Sequence, residues 1–120
     1  MAPLSRRQNP LVLLVEDDAG LREAVVRGLT KAGYQVASAG SRREAVQTAR
    51  DRCPDAVVMD ILLPDGEGPA VADEIRSKAG LAAVPVLFKP FTYRQLVASV
   101  RALVQPRGPA TAPGSAAPAR

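Results

Sequence analysis

Three apolar runs in this 120-residue chain each end in a charged residue. Leu11 to Val15 runs into Glu16-Asp17-Asp18, Ala56 to Met59 into Asp60, and Val84 to Phe88 into Lys89. Carboxylates gathered at adjacent strand ends repel one another, and a divalent cation relieves that repulsion. An all-oxygen donor set favours Mg2+ or Mn2+ over zinc. Mg2+ commonly takes one or two carboxylates together with phosphate oxygens. A carboxylate beside it can then act as nucleophile toward phosphorus and form an aspartyl phosphate. A nearby lysine ammonium would neutralise charge on the transferring phosphoryl group.

Each of these residues also has a plainer reading. An acid pair after a strand suits the positive end of a helix dipole, and Asp18 reads first as a helix cap. Asp65 reads as a turn residue, Cys53 before Pro54 as a helix end, and Phe91 and Tyr93 as core and helix-staple residues. Asp60, at the end of an apolar strand, is the hardest to explain without a site.

The elements that must position these groups follow from periodicity and punctuation. Residues 11–15 form a continuous apolar run, as in a buried parallel strand. Asp18 caps a helix to about Ala32, with Leu21, Val25 and Leu29 on its apolar face and Gly33 after its end. Tyr34 to Ala39 is a weaker strand. Ser41 opens a second helix, and Glu44 three residues on completes a capping box. That helix stops before Pro54. Residues 55–61 are the central strand, and Pro64-Asp65-Gly66 is a turn. A third helix runs from about Pro69 to Lys78 with Val71 and Ile75 inward. Residues 84–88 are a strand. Thr92 and Gln95 form a capping box opening a last helix to about Val104, striped by Leu96, Val97, Val100, Leu103 and Val104. The order βαβαβαβα implies a parallel sheet with helices on both faces. Ligands of such sheets gather at the carboxyl ends of the strands, where the acids and Lys89 lie.

Composition narrows the field. The net charge of +4 comes from Arg6, Arg7, Arg107 and Arg120, because residues 11–105 hold 12 basic and 12 acidic residues. No concentrated basic face exists for direct nucleic-acid binding. With no histidine there is no imidazole acid–base chemistry and no His-ligated zinc. One cysteine excludes an internal disulfide and fits a reducing cytoplasm. The apolar runs are too short for a membrane span, and no signal peptide is read at the N-terminus. Residues 1–10 read as a flexible arm, 11–105 as the domain, and 106–120 as a disordered Pro/Ala-rich tail.

The set Leu13-Leu14-Val15-Glu16-Asp17-Asp18, Val58-Met59-Asp60-Ile61-Leu62-Leu63-Pro64-Asp65-Gly66 and Lys89-Pro90-Phe91 resembles the receiver domain of two-component response regulators. The single-domain chemotaxis regulator is the simplest relative. The resemblance implies a flavodoxin-like three-layer sandwich. It further implies that Glu16, Asp17 and Asp60, with the Leu62 carbonyl, hold Mg2+. Asp60 would accept the phosphoryl group and Lys89 would contact it. The implied partners are a sensor histidine kinase or a phosphotransfer protein. An aspartate-nucleophile phosphatase would need a second acid two residues after the nucleophile, and that position is Leu62; the chain is read as a signalling module and not an enzyme.

The chain departs from the family in one place. A complete receiver has five βα units and this sequence supplies four. Lys89 follows Asp60 by only 29 positions, too few for the helix, strand, helix and strand that the family places there. The fourth helix and one strand equivalent are missing, together with the Ser/Thr that ends the family's fourth strand. The expected sheet has four parallel strands in the order 2-1-3-4, with the last at an edge. An exposed apolar edge invites a homodimer through that edge or through a swapped final helix. One residue of register decides which face Lys89 takes. The expected function is an atypical stand-alone receiver acting through protein–protein contacts. The alternative is a phosphorylation-independent scaffold for dimerisation or interaction.

Overall fold

The computed structural model describes residues 9–88 and 93–104. The expectations for Lys89, Pro90, Phe91 and Thr92, and for residues 1–8 and 105–120, lie outside them. Strands β1 (Leu11–Val15), β2 (Gln35–Ala39), β3 (Ala56–Met59) and β6 (Val86–Phe88) alternate with helices α1 (Ala19–Lys31), α2 (Arg42–Arg52), α3 (Gly68–Lys78) and α4 (Tyr93–Leu103). The four strands form a parallel sheet in the order β2-β1-β3-β6, which is the expected 2-1-3-4 topology. Between β3 and α3 sits a small antiparallel hairpin of β4 (Leu62–Leu63) and β5 (Gly66–Glu67). The predicted turn Pro64-Asp65-Gly66 is therefore the tip of a hairpin, which the sequence reading did not separate from a plain turn. The strands are also shorter than expected: β2 starts after Tyr34, β3 covers 56–59 instead of 55–61, and β6 covers 86–88 instead of 84–88.

Alternate residues of the continuous apolar strands feed two cores, one on each face of the sheet. On one face Leu11, Leu13, Val15, Val57 and Met59 pack with Ala45, Val46 and Ala49 of α2 and with Val71 and Ile75 of α3. On the other, Val12, Leu14 and Val58 pack with Leu29 of α1 and with Leu96 and Val100 of α4, while Val97 and Val104 lie against that cluster. The side chain of Leu103, the remaining member of the α4 stripe, lies outside the described residues. This is the three-layer arrangement expected from the alternating elements.

The caps follow chemistry that was readable, with two corrections. Asp18 caps α1, its Oδ1 accepting from the Leu21 amide at 3.0 Å. Leu21 itself is 44% exposed instead of inward; in the first turn of α1 it lies beyond the reach of the sheet, and Val25, Val26 and Leu29 make the contact. Ser41 Oγ accepts from the Glu44 amide at 3.3 Å, but Glu44 Oε1 takes the Gly40 amide at 2.7 Å, one residue short of the Ser41 amide that a capping box would use. The chain leaves α1 through Gly33, whose φ of 104° suits a residue without Cβ. It leaves α2 through Cys53, an exposed thiol with φ of 48°.

Candidate metal centre

The carboxyl end of β1 sorts three consecutive acids into three tasks. The Glu16 amide donates to the Ala39 carbonyl at 2.9 Å and so extends the β1–β2 ladder by one residue. That contact holds Glu16 in the sheet, where it is 2% exposed. Its Oε2 accepts from the Asp18 amide at 3.2 Å, and its carbonyl accepts from Arg22 Nη1 at 2.7 Å. Asp18 is turned to cap α1, and Asp17 between them is exposed. On β3, Met59 is in register with Val15 on one side and Phe88 on the other. Asp60 therefore leaves the sheet level with Glu16.

One carboxylate oxygen from each of Glu16, Asp17 and Asp60 can be chosen so that all three lie within 4.8 Å of one another. At that separation two unit negative charges repel by about 3 kcal/mol at an effective dielectric of about 20, with solvent weakening the contribution of exposed Asp17. The donors are all oxygen, one buried, one half-buried and one exposed. They fit a hard divalent cation that keeps part of its water shell, which is the preference of Mg2+. Asp18 and Asp65, which the sequence reading placed in a cap and a turn, are outside this group.

The loop after Asp60 is held from below by Gly68, which the sequence reading passed over. The Gly68 amide donates to the Ile61 carbonyl. A Cβ at Gly68 would lie 2.6 Å from the Asp60 carbonyl oxygen and 2.9 Å from the Phe88 ring. Only glycine admits that approach. The signal in the sequence was a second glycine two residues after Gly66, which gives no hint of its neighbours. Leu62, whose carbonyl the family resemblance assigned to the metal, lies in β4 opposite Glu67. Ile61, beside Asp60, is 44% exposed.

Asp65, at the hairpin tip, takes the Arg42 amide at 2.8 Å and the Arg43 amide at 3.4 Å through its two carboxylate oxygens. Those hydrogen bonds, the one from Arg42 foremost, hold the Asp65 carboxyl below the usual carboxylate range. Glu74 of α3 is likewise held low, first by Lys78 and then by Arg42, with which it pairs at 3.0 Å each.

Comparison with known proteins gives a consistent picture. The model of the response regulator receiver domain matches residues 12–89. The transcriptional regulatory protein PrrA of Mycobacterium tuberculosis is 35% identical over 121 aligned positions, covering 83% of this chain and 52% of that protein. Those 121 positions exceed the length of the whole chain, so part of PrrA lies opposite gaps here, as a shortened domain requires. The chain spans about half the length of the curated relatives it matches. Among solved structures, the chemotaxis response regulator CheY4 of Vibrio cholerae superposes with a TM-score of 0.73 at 23% identity, over 79% of this chain and 98% of that one, a likeness of fold. The response regulator TrrA of Thermotoga maritima, solved in complex with Mg2+ and BeF, superposes at 0.65 with 26% identity, over 78% and 98%.

Proposed function

The chain belongs to the response regulator receiver family, and from that premise we propose that it takes part in two-component signalling by accepting a phosphoryl group on Asp60. Glu16, Asp17 and Asp60, with the Leu62 carbonyl, would hold Mg2+, which supplies positive charge beside the phosphoryl oxygens. The Asp60 carboxylate oxygen forms the new bond to phosphorus as the bond from phosphorus to the donor breaks. The donor is a phosphorylated sensor histidine kinase or phosphotransfer protein, and Lys89 contacts the incoming phosphate. The receiver module would span residues 11–105. It works in the cytoplasm; among the described residues no helix is long and apolar enough to cross a membrane. Output passes through protein–protein contacts.

The observation that supports this reading best is the meeting of three carboxylates from β1 and β3 within 4.8 Å. A divalent cation offsets the repulsion between carboxylates gathered in this way. The test uses beryllofluoride, a mimic of the phosphoryl group, with Mg2+. Wild-type protein should bind it only when Mg2+ is present, and Asp60→Asn should bind none. Equal binding by both proteins would refute the assignment of Asp60.

A second reading, a dimerisation or interaction scaffold that no longer transfers phosphate, is favoured by one observation. All three residues of β6 are half-buried, at the edge of the sheet. Pairing of two copies along that edge, or exchange of α4, would cover them. Analytical ultracentrifugation distinguishes the two readings: a dimer formed without phosphoryl mimic supports the scaffold, and a monomer at high concentration opposes it.

A further inference from the structure

We propose that Asp65 is a positioning residue for the metal site, acting through the hairpin that carries Leu62. The inference rests on the Mg2+ reading above and adds a residue that touches no metal. The hairpin needs an anchor. Its strands are two residues each and pair only with one another, and an isolated two-stranded ribbon is marginal in water. Its base is fixed by the Gly68 amide on the Ile61 carbonyl, and its middle by Leu63, which enters the core. Its tip is the Pro64-Asp65 turn, and there the anchor is Asp65.

The Asp65 carboxylate spans 23 positions of sequence to take the first amide of α2 and, through its second oxygen, the next one. These are two of the donors that a helix leaves without intrahelical partners. Ser41 supplies the third amide's acceptor, so three consecutive N–H groups at this helix start are met, two of them by a residue of the hairpin. Beside it the Arg42 side chain crosses the tip: its Cδ lies 3.1 Å from where a Cβ on Gly66 would stand, and its Nε reaches Glu74 of α3. The tip is therefore held at the start of α2 by the two Asp65 hydrogen bonds. With the tip fixed, β4 has no freedom to swing, and the Leu62 carbonyl keeps one orientation at the metal. Groups that orient ligands from outside the first shell influence affinity strongly.

The experiment is Mg2+ titration by calorimetry on the whole chain, with circular dichroism to establish folding. Wild type, Asp65→Ala, Asp65→Asn and Glu74→Ala are compared. Asp65→Ala should weaken Mg2+ by about tenfold. Asp65→Asn should recover part of the loss, because its amide oxygen still accepts an N–H. Glu74→Ala breaks the ion pairs to Arg42 and Lys78 but leaves the Asp65 clasp, and it should bind Mg2+ as wild type does. If Asp65→Ala does not fold, Asp65→Asn against Glu74→Ala carries the same comparison. Wild-type affinity in a folded Asp65 variant, or an equal loss in Glu74→Ala, overturns the inference alone. A wild-type chain that takes no Mg2+ overturns the metal reading and this inference with it.

Discussion

The centre of the sheet and its β6 edge differ in how they are supported. β1 and β3 are wholly buried, and each has a strand on both sides. β6 has three half-buried residues and, among the described residues, a partner on one side. The acids of the candidate metal centre hang from the first pair. The edge left by the shortened domain falls on the second. A receiver can therefore lose a βα unit without disturbing the strands that bring Glu16 and Asp60 together. The loss is felt where the family builds its last strands.

The largest test of that contrast is a pair of truncations on one face. Leu14 on β1 and Leu87 on β6 belong to the same cluster, but Leu14 is 1% exposed and Leu87 is half-buried. Leu14→Ala should cost about 2–5 kcal/mol and Leu87→Ala about 1 kcal/mol, read from urea unfolding. Equal losses would mean that β6 is as firmly built as β1. Next, Gly68→Ala brings a methyl group against the Asp60 carbonyl and the Phe88 ring, where the two regions touch. It should destabilise by about 1–3 kcal/mol, and the change in heteronuclear NMR shifts should centre on residues 60–68. A silent Gly68→Ala would show that the Asp60 loop yields freely.

A smaller effect is expected at the far side of the same face. The Tyr34 hydroxyl donates to the Val104 carbonyl at 2.6 Å, and Tyr34 is 2% exposed. Tyr34→Phe should cost about 1 kcal/mol and raise amide exchange at the end of α4 while leaving the acidic cluster unchanged. The smallest effect is one of pH. Asp65 and Glu74 titrate below their ordinary values of 3.8 and 4.5 in the folded chain. Their stabilising contribution is complete above those values and is lost as pH falls through the lowered folded values. The urea midpoint should therefore drop on acidification in wild type, and drop less in Asp65→Asn. The same slope in both would remove Asp65 from the linkage.

The sequence showed the fold through local signals. Continuous apolar strands, Asp18 and Ser41 as caps, and Gly33 after α1 each depend on neighbours within a few residues, and each was readable. The site was readable to the extent that its acids end strands, because a parallel sheet carries strand ends to one edge. Leu21 was misread because apolar spacing identifies a stripe but not how far along the helix the sheet extends. The reach of Asp65 to α2 and the close approach at Gly68 were missed for another reason. Their partners lie 23 and about 8 positions away and are backbone groups, which leave no pattern in side-chain types. The shortened region was visible as the 29-position spacing from Asp60 to Lys89, while the hairpin of β4 and β5 was not.

The bond between Tyr34 and Val104 joins positions 70 apart, and it bears on how the chain is made. Leu96 and Val100 share a cluster with Val12, Leu14 and Val58, yet they are among the last described residues to leave a ribosome. Until then that side of the nascent sheet has only α1 to shield it. Apolar surface left open in this way during synthesis is what makes partly made domains prone to aggregation.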